Sequence, residues 1–216
     1  LGQHWLHDQA SLEAVAEAGL VHEHDTVLEV GPGLGTLTKV LAQKAHKVIA
    51  VEFDARLAQD LNQNLTLPNV QIINQDILEF DLTQMPNGYK VVANIPYYLT
   101  SNLLRTLSES SNPPKIISIL VQKEVAQRIC TGPGEMSLLS VSVQMYYEAR
   151  LEIKVPARLF TPPPKVDSQI VQLVRRPRPL VDDLNTKQLF RIVKAGFSNR
   201  RKTLLNSLSG GLGVSK

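Results

Sequence analysis

Hydrophobic and polar positions alternate in blocks along most of the chain, from Thr26 onward. Short apolar runs rich in Val and Ile are separated by longer amphipathic stretches. This alternation is typical of a parallel β-sheet covered by helices on both faces. The apolar runs predict five strands, namely "TVLEVG" (26–31), "KVIAVE" (47–52), "VQIINQD" (70–76), "YKVVANI" (89–95) and "KIISILVQ" (115–122).

Two later apolar runs have no long helical stretch between them. "YYEARLEIKVP" (146–156) and "SQIVQLVRR" (168–176) therefore predict an antiparallel pair of strands at the edge of the sheet. The stretch "SLEAVAEAGL" (11–20) has helical composition and Gly19 near its end, so it predicts a helix that covers the sheet. The prediction is an α/β, Rossmann-like fold with a seven-stranded sheet.

The pattern becomes purely helical after "RRPRPLVDD". Apolar residues then follow helical spacing, at Leu189, Ile192, Val193, Phe197, Leu204, Leu205 and Leu208. We therefore predict a main domain over residues 1–178 and a small C-terminal helical region over 179–216. The closing "SGGLGVSK" (209–216) is rich in glycine and predicts a frayed tail.

Composition limits the classes of protein to consider. Among 216 residues there is a single cysteine, Cys130, which cannot form an internal disulfide. No stretch approaches the roughly 20 apolar residues that a membrane helix needs, and the first residues lack the layout of a signal peptide. We expect a cytoplasmic monomer without membrane contacts. Because the sequence does not begin with Met, import into an organelle stays open as an alternative.

Charge is divided unevenly along the chain. Residues 1–150 hold 10 Lys and Arg against 16 Asp and Glu, whereas residues 151–216 hold 13 against 4. The two parts therefore carry net charges of −6 and +9. The basic part would attract a polyanion, because nucleic-acid phosphates release counterions to Lys and Arg clusters.

The glycines of "LEVGPGLGTLT" follow the first predicted strand and precede a helix. Gly31, Gly33 and Gly35 would let the backbone approach a ligand closely, and the helix N-terminus offers free N–H groups. The dinucleotide fingerprint is G-x-G-x-x-G, whereas these glycines are spaced G-x-G-x-G. S-adenosylmethionine has no phosphate, and its sulfonium charge tolerates nearby carboxylates such as Glu29.

Acidic residues end the next two predicted strands. Glu52 lies where a carboxylate accepts hydrogen bonds from both ribose hydroxyls, which suits NAD and S-adenosylmethionine equally. Asp76 lies where an acid can accept a hydrogen bond from an adenine amine. The carboxyl ends of three parallel strands thus predict one adenosine site.

The motif "NIPYY" (94–98) follows the fourth predicted strand. The amine at adenine N6 is a poor nucleophile, because its lone pair is delocalised into the ring. The side-chain carbonyl of Asn94 and the backbone carbonyl of Ile95 can each accept one N–H and aim the lone pair at a methyl group. Pro96 fixes this backbone, and Tyr97 offers a ring on which a flipped base can stack.

These motifs together resemble the ribosomal RNA adenine N6-dimethyltransferases over almost the whole chain. The matching segments are "GQHWL", "EVGPGLGTLT", "VIAVEFD", "NQDIL", "NIPYYLTSNLL", "LVQKEVAQR", "FTPPPKVDS" and "FSNRRKTLLNSL". The resemblance implies a class I methyltransferase fold with S-adenosylmethionine as cofactor. It implies cofactor contacts at His4, Leu6, Gly31, Gly33, Glu52, Asp76 and Asn94, and base-stacking rings at Tyr97 and Phe160.

The resemblance also implies a substrate. The family dimethylates two adjacent adenosines in a hairpin loop near the 3′ end of small-subunit rRNA, so the implied partner is the immature small ribosomal subunit. The chain departs from the family at His4 and Tyr98, where relatives commonly have Asn. Cationic residues that we predict to bind RNA are Lys165, Arg175, Arg176, Arg178, Arg200 and Arg201.

Three alternatives stay open on sequence alone. The first is the relative that methylates large-subunit rRNA and confers macrolide resistance. The second is a non-catalytic RNA-binding assembly factor, and the third is a nicotinamide dehydrogenase, which does not explain "NIPYY". The pair His22 and His24 lacks further ligands at suitable spacing, so we predict no metal site.

Overall fold

The computed structural model describes residues 4–181, 186–199 and 202–213, apart from the side chains of Tyr97, Thr186 and Lys187. The strands in these ranges are β1 (Trp5–Leu6), β2 (Thr26–Val30), β3 (Lys47–Glu52), β4 (Val70–Asn74), β5 (Lys90–Asn94), β6 (Ile116–Gln122), β7 (Tyr147–Val155), β8 (Phe160–Thr161) and β9 (Ser168–Arg175). The α-helices are α1 (Gln9–Ala18), α2 (Thr36–Lys44), α3 (Ala55–Asn64), α4 (Thr100–Glu109), α5 (Lys123–Cys130), α6 (Leu138–Gln144), α7 (Thr186–Phe197) and α8 (Leu204–Leu212).

Seven of the strands form one sheet in the order β4-β3-β2-β5-β6-β9-β7. Strands β2 to β6 are parallel, and β9 is antiparallel to both β6 and β7. The prediction of seven strands with an antiparallel pair at the edge is confirmed, and no predicted strand end is wrong by more than two residues. The helix predicted over 11–20 is α1, which ends one residue before Gly19.

The order of the strands creates a crevice at one edge of the sheet. From β2 the chain builds outward through β3 and β4, then returns to place β5 on the other side of β2. In open parallel sheets, ligands bind outside the carboxyl ends of the strands where the strand order reverses in this way. The segments that follow β2, β3, β4 and β5 therefore meet around one crevice.

Alternate residues of the central strands pack on opposite faces of the sheet, as the pleat requires. Val27 and Val92 belong to a hydrophobic cluster with α1 and α2, whereas Leu28 and Val91 belong to a larger cluster with α4. Both faces are thus buried. This burial explains why these strands are continuously apolar rather than alternating.

A buried ion pair lies at the end of the sheet opposite the crevice. Lys90 begins β5, and its Nζ lies 2.7 Å from Asp25 Oδ2. Both side chains are almost inaccessible to solvent, and Lys90 also donates to the carbonyl of Leu20. A buried charge needs such partners, so this pair fixes the loop before β2 to the start of β5.

The two C-terminal helices, α7 and α8, pack closely at a glycine. α8 runs through Ser209 to Leu212, so the prediction of a frayed tail is wrong for these four residues. A Cβ on Gly211 would lie 2.6 Å from the Cβ of Ala195 in α7, so only glycine permits this approach. Phe190 of α7 packs against the main core, and the division between residues 178 and 179 stays a prediction.

Among the described residues, no helix has both the length and the apolar character needed to cross a bilayer.

Candidate active site

The glycine loop after β2 adopts a backbone that favours glycine. Gly31 and Gly33 have φ of +66° and +58°, in the left-handed region that side chains disfavour. A Cβ on Gly31 would meet no atom within 4 Å, so the backbone there faces open space. A Cβ on Gly33 would lie 2.2 Å from the indole ring of Trp5, so that ring packs directly on the loop.

Glu52 at the end of β3 is buried and held by the backbone. Its Oε2 accepts the N–H of Gly33 at 3.0 Å, and its Oε1 accepts the N–H of Asp54 at 2.9 Å. These bonds orient the carboxylate toward the glycine loop. Each carboxylate oxygen can accept a second hydrogen bond, so Glu52 can still bind a diol such as a ribose.

Glu29, in the middle of β2, is the most unusual carboxyl group in the crevice. It is 1% exposed, and its Oε2 has no hydrogen-bond partner among the described residues. Burial raises the pKa of Glu29, the nearby Thr38 hydroxyl opposes this rise and the negative charge of Glu52 adds to it, and together they bring the pKa to about 8. The sequence indicated only that a positively charged sulfonium would tolerate a carboxylate at Glu29. Its burial disfavours the ionised form, and a cationic ligand close to it would favour that form.

Two adjoining cavities occupy the crevice, and Gly31, Glu52 and Pro96 line both of them. The first, which we call the inner cavity, is further lined by residues that include His4, Trp5, Leu6, Glu29, Gly33, Asn94, Ile95 and Phe160. The second, which we call the outer cavity, is further lined by residues that include Phe53, Asp76, Ile77, Leu78, Tyr98, Leu99 and Asn102. The residues predicted to bind the cofactor are thus brought together, divided between the two cavities.

The segment after β5 places three predicted catalytic residues on the wall of the inner cavity. β5 ends at Asn94, and Pro96 has φ −56° and ψ 134°, which turns the chain into the single helical turn Tyr97–Leu99 before α4. The N–H of Leu99 donates to the carbonyl of Pro96 at 3.0 Å and closes this turn. The predicted stacking by the ring of Tyr97 lies outside the described side chains.

A small two-stranded sheet, which the sequence analysis missed, brings both ends of the main domain to the inner cavity. β1 pairs antiparallel with β8, which sets Leu6 opposite Phe160. The Thr36 hydroxyl donates to the carbonyl of Leu6 at 3.1 Å, and His4 Nδ1 lies 2.7 Å from the carbonyl oxygen of Pro162. Two-residue strands are too short for a periodicity signal, so pattern reasoning could not find this pairing.

Phe160 is only 3% exposed and packs in the hydrophobic cluster with α1 and α2. It reaches the inner cavity as a wall residue. Stacking of this ring on a substrate base stays a prediction, and the exposed area of the ring is small.

The cationic residues have different environments. The Arg175 guanidinium lies 5.0 and 5.1 Å from the rings of Tyr146 and Tyr147 and donates to the carbonyl of Ser108. Arg176 donates to the carbonyl of Gln144 and pairs with Glu148. Both arginines thus have internal contacts, which their position in a basic segment before the helical region did not reveal. Lys165 and Arg178 are exposed, while Arg200 and Arg201 lie outside the described residues.

The family model described as "Ribosomal RNA adenine dimethylase" matches residues 1–215. The "Ribosomal RNA small subunit methyltransferase A" of Alkaliphilus metalliredigens is 42% identical over 98% of this chain and 77% of its own length. The protein of that name from Shouchella clausii is 43% identical over 96% of this chain and 74% of its own length.

Two solved structures are also similar. A dimethyladenosine transferase from Plasmodium falciparum has a TM-score of 0.83 and 28% identity, covering 95% of this chain and 75% of that one. The 23S rRNA methyltransferase ErmE has a TM-score of 0.80 and 32% identity, covering 94% of this chain and 83% of that one.

Proposed function

Because the chain belongs to the ribosomal RNA adenine dimethylase family, we propose that it dimethylates N6 of two adjacent adenosines in a 3′-terminal hairpin loop of small-subunit rRNA. The enzyme is an S-adenosylmethionine-dependent rRNA adenine dimethyltransferase. One observation supports the proposed chemistry above all others. Asn94, Ile95 and Pro96 line the same cavity as Gly31 and Glu52, at the reversal point of the sheet.

The residues of the crevice fit S-adenosylmethionine, which supplies an activated methyl group on a sulfonium. The open space at Gly31 admits a ligand against the backbone, and the unpartnered oxygen of Glu29 suits a cation. In our proposal Glu52 binds the ribose hydroxyls and Asp76, in the outer cavity, accepts from the adenine amine. His4, Leu6 and Gly33 then border the methionyl part in the inner cavity.

Asn94 and Ile95 act on the target amine. The side-chain carbonyl of Asn94 and the backbone carbonyl of Ile95 accept the two N6 protons and bias the nitrogen toward tetrahedral geometry. Pro96 restricts the backbone that presents these acceptors, so little reorganisation is needed when the base arrives. Tyr97 and Phe160 are proposed to hold the flipped base by stacking.

We propose that exposed cationic side chains bind the phosphates of the RNA backbone. Lys165 and Arg178 meet this condition, and Arg200 and Arg201 stay candidates from the sequence alone. Arg176 stays a weaker candidate because it pairs with Glu148. We do not propose Arg175 as an RNA contact, because its guanidinium packs on two tyrosine rings and donates a hydrogen bond to a backbone carbonyl. The proposed partner is the immature small subunit, met by a monomer in the cytoplasm.

A second candidate substrate is the rRNA of the large subunit. The likeness to ErmE, a 23S rRNA methyltransferase, favours large-subunit rRNA as the alternative. The experiment incubates the protein and cofactor separately with small and large subunits from cells without either methylation, then measures dimethyladenosine by mass spectrometry. We expect two dimethylated adenosines per small subunit and none in the large one. The opposite pattern would transfer the assignment to the large subunit.

An Asn94→Ala variant provides the control for a binding-only role. If the wild-type protein binds both cofactor and small subunits but yields no more dimethyladenosine than Asn94→Ala, the chain is an assembly factor rather than an enzyme.

A further inference from the structure

Three exposed apolar side chains line the outer cavity. Phe53 is 69% exposed, Tyr98 is 74% exposed and Leu78 is 37% exposed, and all three line this cavity. They come from three separate segments, after β3, β4 and β5. Large apolar groups that converge on one concave site, with an acid beside them, indicate a planar partly polar ligand.

We propose that Tyr98 is a cofactor-binding residue whose ring covers the adenine of S-adenosylmethionine in the outer cavity. Asp76 lies in the same cavity and offers its carboxylate to the adenine amine. Its Oδ1 already accepts the N–H of Leu78 at 2.9 Å, which holds the acid at the cavity wall. The adenine would thus have separate partners. Asp76 would bind its amine edge, and the apolar side chains would contact its faces.

The location of Tyr98 favours the cofactor over an RNA base. The target N6 must reach Asn94 and Ile95, which line the inner cavity. Among the described residues, Tyr98 lines the outer cavity together with Asp76, and it is not on the wall of the inner one. A base presented to Asn94 and the ring of Tyr98 therefore occupy different parts of the crevice.

The backbone turn that carries the ring of Tyr98 is held in place. Tyr98 lies in the turn Tyr97–Leu99, which the Leu99 to Pro96 hydrogen bond closes and which leads directly into α4. Leu99 packs against the main hydrophobic core. A ring on an anchored turn loses little backbone entropy when it stacks, so more of the stacking energy appears as affinity.

Calorimetry without RNA tests the proposal, so its outcome does not depend on which rRNA is the substrate. The probes are S-adenosylmethionine, S-adenosylhomocysteine and 5′-methylthioadenosine, which share the adenine ring but differ in charge and tail. For Tyr98→Leu we expect Kd to rise about tenfold for all three, in line with the loss of one stacking ring. Tyr98→Phe keeps the ring, and its Kd values should stay within about twofold of the wild type.

Phe197→Leu is the matched control, because it removes an exposed ring from α7 and leaves the outer cavity intact. Its Kd values should not change. Two results would overturn the proposal. In one, Tyr98→Leu binds all three probes as the wild type does, whether or not its KM for RNA rises. In the other, only S-adenosylmethionine binding is lost, which would assign the ring to the sulfonium.

A measurement on the unaltered protein covers the case in which Tyr98→Leu does not fold. With ring-labelled tyrosine, the NMR signal that disappears in Tyr98→Phe belongs to Tyr98. Adding 5′-methylthioadenosine should move that signal upfield, because a stacked adenine shields the phenol ring. A signal that stays in place at saturating ligand would refute the contact.

Discussion

Replacing Glu29 with Gln should change how the stability of the protein depends on pH. The pKa of Glu29 is raised from 4.5 to about 8 by burial, so the folded state binds this proton more tightly than the unfolded state. Its contribution is therefore complete below pH 4.5 and is lost as pH rises through about 8. Well inside this window each pH unit costs about 1.4 kcal/mol, and the loss per unit falls as the pH reaches the folded pKa. Raising the pH from 6 to 8 therefore removes about 2 kcal/mol from the free energy of unfolding.

Urea denaturation at pH 6 and pH 8 measures this effect. Histidines and surface carboxylates titrate in both proteins, so the informative quantity is the difference between wild type and Glu29→Gln. The wild type should lose about 2 kcal/mol more than the variant, because the Gln amide has no proton to release in this range. Equal losses in the two proteins would show that Glu29 does not remain protonated in the fold, and the reasoning would be wrong.

The same carboxyl links cofactor binding to pH. A positive sulfonium favours the ionised form of Glu29, so the affinity of the wild type for S-adenosylmethionine should rise between pH 6 and pH 8. S-adenosylhomocysteine lacks that charge and should show a smaller rise. In Glu29→Gln the difference between the two ligands should be independent of pH, which calorimetry can check.

Three further substitutions test other parts of the structure. Asn94→Ala should retain cofactor binding within a few-fold but lower the methylation rate at least about 100-fold, because one of two acceptors of the target amine is lost; unchanged turnover would refute its role. Gly33→Ala should lose at least about 1–2 kcal/mol of stability in urea, since φ is +58° and the new Cβ collides with Trp5, and calorimetry should show weaker cofactor binding. Asp25→Ala should cost about 3–5 kcal/mol in the same denaturation assay because Lys90 is left buried without its ion pair, while the cofactor Kd of the folded protein stays unchanged.

The sheet could be predicted because its sequence signal is local and repeated. Each central strand is buried on both faces, so "KVIAVE" and the similar runs are continuously apolar and end at polar residues. The ends of those runs also identified Glu52, Asp76 and Asn94, since the carboxyl ends of parallel strands share one edge. The fold and the meeting of these three residues at one crevice therefore follow from the same pattern, while their contacts with an adenosine stay a prediction.

Contacts between distant short segments could not be predicted in this way. The pairing of Leu6 with Phe160 joins residues at opposite ends of the main domain, and it rests on two-residue strands. The sequence predicts Arg175 as a phosphate contact because it lies in a basic segment that precedes the helical region. Its packing on Tyr146 and Tyr147 depends on tertiary structure, which no spacing in the sequence reveals.

The two cavities of the crevice differ in their lining residues and therefore in what they can bind. The outer cavity carries exposed apolar rings and Asp76, so it can recognise an adenosine by stacking and by one polar edge. The inner cavity has the buried Glu29 and the acceptors of Asn94 and Ile95, so it can hold positive charge close to an amine. Pro96 lines both, and it precedes the turn that carries Tyr98. One short segment, from Pro96 to the turn that carries Tyr98, therefore joins the wall of the inner cavity to the wall of the outer one.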